Sequence, residues 1–136
     1  MPDTNYAKEW IKFSERDYAV ALHLSETFNP IPTENICFCC QQSAEKSLKA
    51  ILAYNEADIP KTHDIELLHT LCQAYTNEIE LSLNVTRTLT RFATRSRYPD
   101  SVYDFSKEDA ELGLKYAKLI LDKVNGFFKQ NENGEA

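Results

Sequence analysis

The stretch from Glu34 to Asn55, ENICFCCQQSAEKSLKAILAYN, constrains the fold more than any other. It holds neither glycine nor proline, so nothing in it interrupts a helix. Its apolar positions Cys37, Cys40, Ala44, Leu48 and Ile51 recur at helical spacing. A second row, Ile36, Cys39, Ser43, Ser47 and Ala50, is mostly small and lets a neighbouring helix approach closely. Only the strip Gln42, Glu45, Lys46 and Lys49 is strongly polar. A helix with so narrow a polar face is covered on most sides, which places it at the centre of a helical bundle.

The flanking sequence supplies the other helices. Tyr6 to about Glu26 carries a stripe of Ala7, Trp10, Ile11, Ser14, Tyr18, Ala21 and Leu22, widened by Phe13 and Val20. Asp17 lies near its apolar edge, where it either hydrogen-bonds inside the bundle or, the commoner case, is solvated. Asn29-Pro30-Ile31-Pro32 ends this helix. A loop from Asn55 to Lys61 leads to Thr62-His63-Asp64, whose side chains cap a short helix from Ile65 to about Tyr75. Asn77 and Glu80 have capping-box spacing, so the next helix is expected from there to about Ser96. Arg97-Tyr98-Pro99-Asp100 breaks it, because Pro99 disfavours a helical Tyr98. Ser106 starts the last helix, with Ala110, Leu114, Ala117, Ile120, Leu121 and Val124 on one face and Gly113 allowing a close crossing there. Residues 1–5 and the polar end after Phe128 read as disordered tails. The expected fold is all-α: one domain over residues 1–136, an up-and-down bundle of four long helices plus one short helix.

At 136 residues and 15.6 kDa the chain suits a single core. A net charge of -6 and a pI near 5.1 argue against a generally basic nucleic-acid binder while leaving room for a local basic patch. No apolar run reaches the roughly 18 residues of a membrane span. MPDTNYAKEW has no apolar signal core, so the expected location is cytoplasmic with no membrane contact. Cys37 and Cys40 have C-x-x-C spacing but no second pair follows; the four cysteines read as free core thiols, with no metal and no cofactor.

Chemistry concentrates elsewhere. Four of the five arginines, Arg87, Arg91, Arg95 and Arg97, fall in one short stretch, and no acid lies between Glu80 and Asp100. Arg87, Arg91 and Arg95 share a helix face. Their partner is either acids on adjacent helices or a second subunit, or else phosphate, which the planar guanidinium fork grips well. His63 reads as a capping or loop histidine, with a catalytic role as the alternative. Glu45 and Lys49 read as a solvated i, i+4 ion pair of small effect.

FCCQQSAEKSLKAIL (Phe38 to Leu52), PKTHDIELL (Pro60 to Leu68), and RYPD (Arg97 to Asp100) before an S-K-E-D-A helix start together resemble the HEPN domain, the higher eukaryote and prokaryote nucleotide-binding family. SERDYAVALHL fits its opening helix, and the resemblance spans roughly Tyr6 to Val124. It implies an up-and-down bundle that forms homodimers. It also implies association with a small nucleotidyltransferase in toxin–antitoxin pairs, whose toxins are metal-independent RNases using an Arg followed four to six residues later by His. This chain departs from that motif. After Arg97 the window holds Val102, Tyr103 and Asp104, and after Arg95 it holds Asp100, Ser101 and Val102. The resemblance therefore implies a non-catalytic dimeric module that binds nucleotide, RNA or a partner nucleotidyltransferase through Arg91, Arg95, Arg97, Tyr98 and Asp100, with His63, Glu45 and Lys49 as accessory positions. The alternatives are an RNase toxin with a displaced constellation, such as Arg97 with Tyr103 or His63, and a structural dimer whose arginines only make ion pairs. Phe13, Tyr54, Phe127 and Phe128, left over once each helix has one inward face, are expected at the dimer interface.

Overall fold

The computed structural model describes residues 4–95 and 105–134. These fold as five helices, with no strand among the described residues: α1 Thr4–Thr27, α2 Thr33–Tyr54, α3 Ile65–Cys72, α4 Leu83–Arg95 and α5 Lys107–Gly134. The chain is all-α, and its helices pack as a bundle. α2 touches every other helix and is buried along most of its length, so the narrow polar strip read correctly as a central position.

The row of small residues on α2 faces α1. Ser14 Oγ lies 2.6 Å from Ser47 Oγ and 3.1 Å from Ser43 Oγ, and it donates to the Ser43 carbonyl at 2.7 Å. Large side chains there would hold the helices too far apart for these bonds. The pairs Trp10–Lys49, Ser14–Ser47 and Asp17–Lys46 step in opposite directions along the two helices, so α1 and α2 are antiparallel. Asp17 is not simply solvated, since it accepts from Lys46 Nζ at 2.6 Å in a partly covered pair.

α5 runs alongside α2 in the same direction. Gly113 lies against Cys40, and Phe127 and Phe128 pack edge-on against Tyr54. A Cβ on Gly113 would sit 3.2 Å from Phe92 Cε2 and 3.3 Å from Cys40 Cβ, so the glycine permits the expected close crossing of α2, α4 and α5. Tyr54, Phe127 and Phe128 are buried within the protomer, around 5% exposed each, which removes them from any subunit interface; only Phe13 of that expected set is on the surface.

Three helix boundaries differ from expectation. α1 already begins at Thr4, within the five residues read as a disordered end. α4 starts at Leu83, with Val85 N–H directed at Ser82 Oγ, rather than at the Asn77–Glu80 spacing. Ile79 is instead buried in the segment between α3 and α4, and its carbonyl is bonded to His69 Nε2 at 2.8 Å. Burying Ile79 under α3 outweighs the few tenths of a kcal/mol of local capping preference. α5 continues to Gly134 beyond Phe128, and Lys8 of α1 meets Glu132 there at 3.1 Å. The caps at Asp64 and Ser106 form as read. Asp64 Oδ1 accepts from Leu67 N–H, while Ser106 and Asp109 cap one another reciprocally at 3.0 and 3.1 Å.

Candidate ligand-binding site

α4 brings its arginines to one end of the bundle. Its inward residues Val85, Leu89, Phe92 and Ala93 are buried, which leaves Arg87 and Arg91 on the outer flanks. Arg91 Nη2 donates to Asp109 Oδ1 at 2.9 Å, so one carboxylate both caps α5 and ties it to α4. Arg87 Nε faces Glu66 Oε2 at 3.6 Å, and both side chains are well exposed. Acids on neighbouring helices thus meet two of the four arginines. Arg95 closes α4; its side chain, and Arg97, Tyr98 and Asp100, lie outside the described residues.

The first turn of α3 rests on the same part of α4. Thr90 Oγ1 accepts the Ile65 N–H at 2.9 Å while donating to the Thr86 carbonyl at 2.7 Å. His63 precedes Ile65 by two residues, in the segment that this contact ties to α4.

His63 is neither a cap nor a plain loop residue. Its Nδ1 lies 2.7 Å from Glu45 Oε1 on α2. The same oxygen accepts from Gln41 Nε2 at 3.0 Å, and Glu45 Oε2 accepts from Lys49 Nζ at 3.0 Å. Glu45 and Lys49 are 7% and 8% exposed at the side chain, so this pair is buried, not solvated as its spacing alone suggested. The reason is tertiary: the segment leading to α3 covers Glu45, and Trp10 of α1 lies against Lys49, its ring centroid 5.8 Å from Nζ. Burial pushes the Glu45 carboxyl up, but the hydrogen bonds from His63, Gln41 and Lys49, with the charge of Lys49, outweigh it and hold the group below its ordinary range.

Gln41, fully buried, was not singled out from sequence, nor was Asp109. Gln41 also donates to the His63 carbonyl at 3.5 Å, so it bonds both the backbone of the loop and the carboxylate that meets the His63 ring. A glutamine one turn before a glutamate on the covered face of α2 was the available signal. Among the described residues no group of three or more His, Cys, Asp or Glu side chains is arranged to hold a metal ion. The four cysteines are free; burial is the main cause that pushes every one of their thiols up, Cys37 and Cys72 to about 12. Among the described residues no helix is long and apolar enough to cross a membrane.

The family model of the HEPN domain matches residues 7–127. The chain belongs to the HEPN family. Among solved structures, the archaeal HEPN homologue ST0689 is 28% identical, with a TM-score of 0.63 over 88% of this chain and 95% of that one. TT1696 from Thermus thermophilus is 21% identical, with a TM-score of 0.70 over 90% of this chain and 98% of that one, a likeness of fold alone. No curated protein matches the chain. The family match runs from within α1 to within α5 and includes both the α4 arginines and the Glu45–His63 network.

Proposed function

We propose that this HEPN protein is a binding module for a phosphate-bearing ligand, a nucleotide or RNA, held at the end of the bundle where α3 meets α4. The observation that carries this reading is the buried Glu45–Lys49 pair with His63 on it, in the segment whose next turn is bonded to Thr90 of α4. A purely structural helix is cheaper to bury with apolar side chains, because taking two charges out of water costs several kcal/mol per ion before their attraction offsets it. Such networks concentrate at functional sites. Arg91 and Arg95 on α4, with Arg97 after it, supply guanidinium groups suited to phosphate oxygens. Asp109 holds Arg91 while leaving it substantially exposed, and an ion pair so exposed exchanges readily for a phosphate contact. The reading includes Tyr98 and Asp100, as a stacking side chain and an orienting carboxylate, and a nucleotidyltransferase as the protein partner of the same arginine end. A toxin–antitoxin context follows from such a partner.

One observation favours RNA cleavage as a second reading: a carboxylate fixes the His63 ring at 2.7 Å, an arrangement that serves general acid–base chemistry. The test is fluorescence anisotropy with a labelled adenine nucleotide and a short single-stranded RNA, on wild type and on the double variant Arg95→Ala plus Arg97→Ala. Loss of at least about tenfold in affinity with an unchanged helical circular dichroism spectrum is expected. Unchanged affinity, or an unfolded double variant, overturns it. Metal-independent RNA cleavage that His63→Ala abolishes selects the second reading.

A further inference from the structure

α3 turns an apolar stripe outward. Leu67 and Leu71, one helical turn apart, are 42% and 36% exposed, and Tyr75, one turn further on, is 46% exposed. The Tyr75 N–H donates to the Cys72 carbonyl at 2.9 Å, so a further turn carries the stripe past the end of α3. Beside it lies a cavity of about 260 Å³, with Leu71, Ala74 and Tyr75 on one wall and Leu52, Ala57 and Asp58 on the other. The second wall is preformed. The Ala57 N–H donates to the Leu52 carbonyl at 3.0 Å and the Glu56 N–H to the Ala53 carbonyl at 3.1 Å, with Glu56 at φ 56°. This is a Schellman helix end, whose left-handed residue is usually glycine. Large apolar groups aligned along a cavity, rather than scattered singly, mark an interaction surface.

We infer that this groove receives a basic amphipathic helix of another protein. The charge around it selects that occupant. From Asn55 to Leu81 the sequence carries Glu56, Asp58, Asp64, Glu66, Glu78 and Glu80, with Lys61 as its one lysine and no arginine. Asp58 lines the cavity, and Asp64 caps α3 one turn before Leu67. Glu56 and Asp58 follow the C-terminus of α2, where the helix dipole already makes the potential negative, so both acids stand where a cation is favoured. At φ 56° Glu56 also carries a conformational cost that glycine avoids. An apolar stripe rimmed by acids repels the phosphates of RNA and of an anionic lipid surface. A second copy of the chain meeting it across a two-fold axis would set the same acids against each other. A helix with leucine-like anchors flanked by lysines or arginines satisfies both features: its anchors lie on Leu67, Leu71 and Tyr75, and its cations face the rim.

The probe is a short fluorescein-labelled peptide of leucine and lysine, patterned as an amphipathic helix and titrated with the full chain by fluorescence anisotropy. The same pattern with glutamate in place of lysine is the control. The lysine peptide is expected to bind saturably, about tenfold or more tighter than the glutamate peptide, and more weakly as salt is raised. Leu71→Asn plus Tyr75→Asn is expected to weaken it about tenfold or more with the circular dichroism unchanged, because both side chains are exposed. Glu56→Gly plus Asp58→Asn separates the rim charge from the fold. It is expected to raise the thermal midpoint, by relieving the left-handed residue and the unfavourable dipole, while weakening peptide binding about threefold or more. Failure of the lysine peptide to bind saturably overturns the proposal. So does equal binding of the two peptides, or an affinity that neither double variant changes. Self-association of the peptide-free protein that Leu71→Asn plus Tyr75→Asn abolishes also overturns it, since a second copy then covers the groove.

Discussion

Replacing Glu45 with alanine tests whether the charge network is as dry as its geometry says. The carboxylate accepts from Lys49 and Gln41 and is bonded to His63 Nδ1, and only 7% of its side chain is exposed. Its removal strands the Lys49 ammonium, itself 8% exposed, without the counter-charge. Breaking a buried pair by deleting one partner costs about 3 to 5 kcal/mol, against about 0.3 to 0.5 for an exposed i, i+4 pair. Equilibrium urea unfolding followed by circular dichroism separates these values easily, because a domain of this size has only about 5 to 15 kcal/mol in total. Deleting both partners, Glu45→Ala plus Lys49→Ala, should cost less than the sum of the two single deletions, since neither charge is then left alone. A loss below about 1 kcal/mol for Glu45→Ala would refute the buried-pair account. The pH dependence has a definite sign. The carboxyl is held below its ordinary 4.5, so its contribution is complete above that value and disappears as pH falls through the lower folded-state value. The stability gap between wild type and Glu45→Gln should therefore shrink as the solution is acidified below about pH 4.5.

Gly113 and Gly126, both in α5, should respond oppositely to alanine. At Gly113 the new methyl meets Phe92 and Cys40 at 3.2 and 3.3 Å in a filled core, so Gly113→Ala should destabilise by about 1 kcal/mol despite better helix propensity. At Gly126 nothing lies within 4 Å, so Gly126→Ala should stabilise by about 0.5 to 1 kcal/mol; thermal unfolding of both decides it. The four thiols should react slowly with a disulfide reagent in the native protein and fully once urea unfolds it, because burial holds each in the unreactive thiol form; rapid native labelling of Cys37, Cys40 or Cys72 would contradict their placement.

The central position of α2 was legible because a helix without glycine or proline and with a narrow polar strip has few other places to go. The Ser43–Ser47 row and Gly113 were legible for the same reason: small residues at helical spacing have meaning only where another helix approaches. What local spacing could not give was cover. Glu45 and Lys49 look the same on paper whether water or His63 and Trp10 lie over them, and what covers them comes from other parts of the chain. Tyr54, Phe127 and Phe128 read as surplus although Phe127 and Phe128 continue the inward face of α5 past Val124 and Tyr54 continues the Ser47–Ala50 row of α2, and together they form one edge-on aromatic cluster. The start of α4 was misread because capping-box spacing is local, while burial of Ile79 under α3 is not. Of the candidate site, Arg91 lies on α4 and the Glu45–Lys49–His63 set joins α2 to the segment before α3; Arg95, Arg97, Tyr98 and Asp100 were legible as a charge concentration with a proline stop.

The most direct measurement of the central claim is an amide chemical-shift titration of the labelled protein with ATP and, separately, with a short single-stranded RNA. Saturable shifts clustered on Thr62–Ile65, Thr90–Arg95 and the residues that follow α4 are predicted, with α1 unmoved. Absence of saturable shifts with either ligand, or shifts spread over α1 and the far end of α5 instead, would contradict a phosphate-binding site at the arginine end of the bundle.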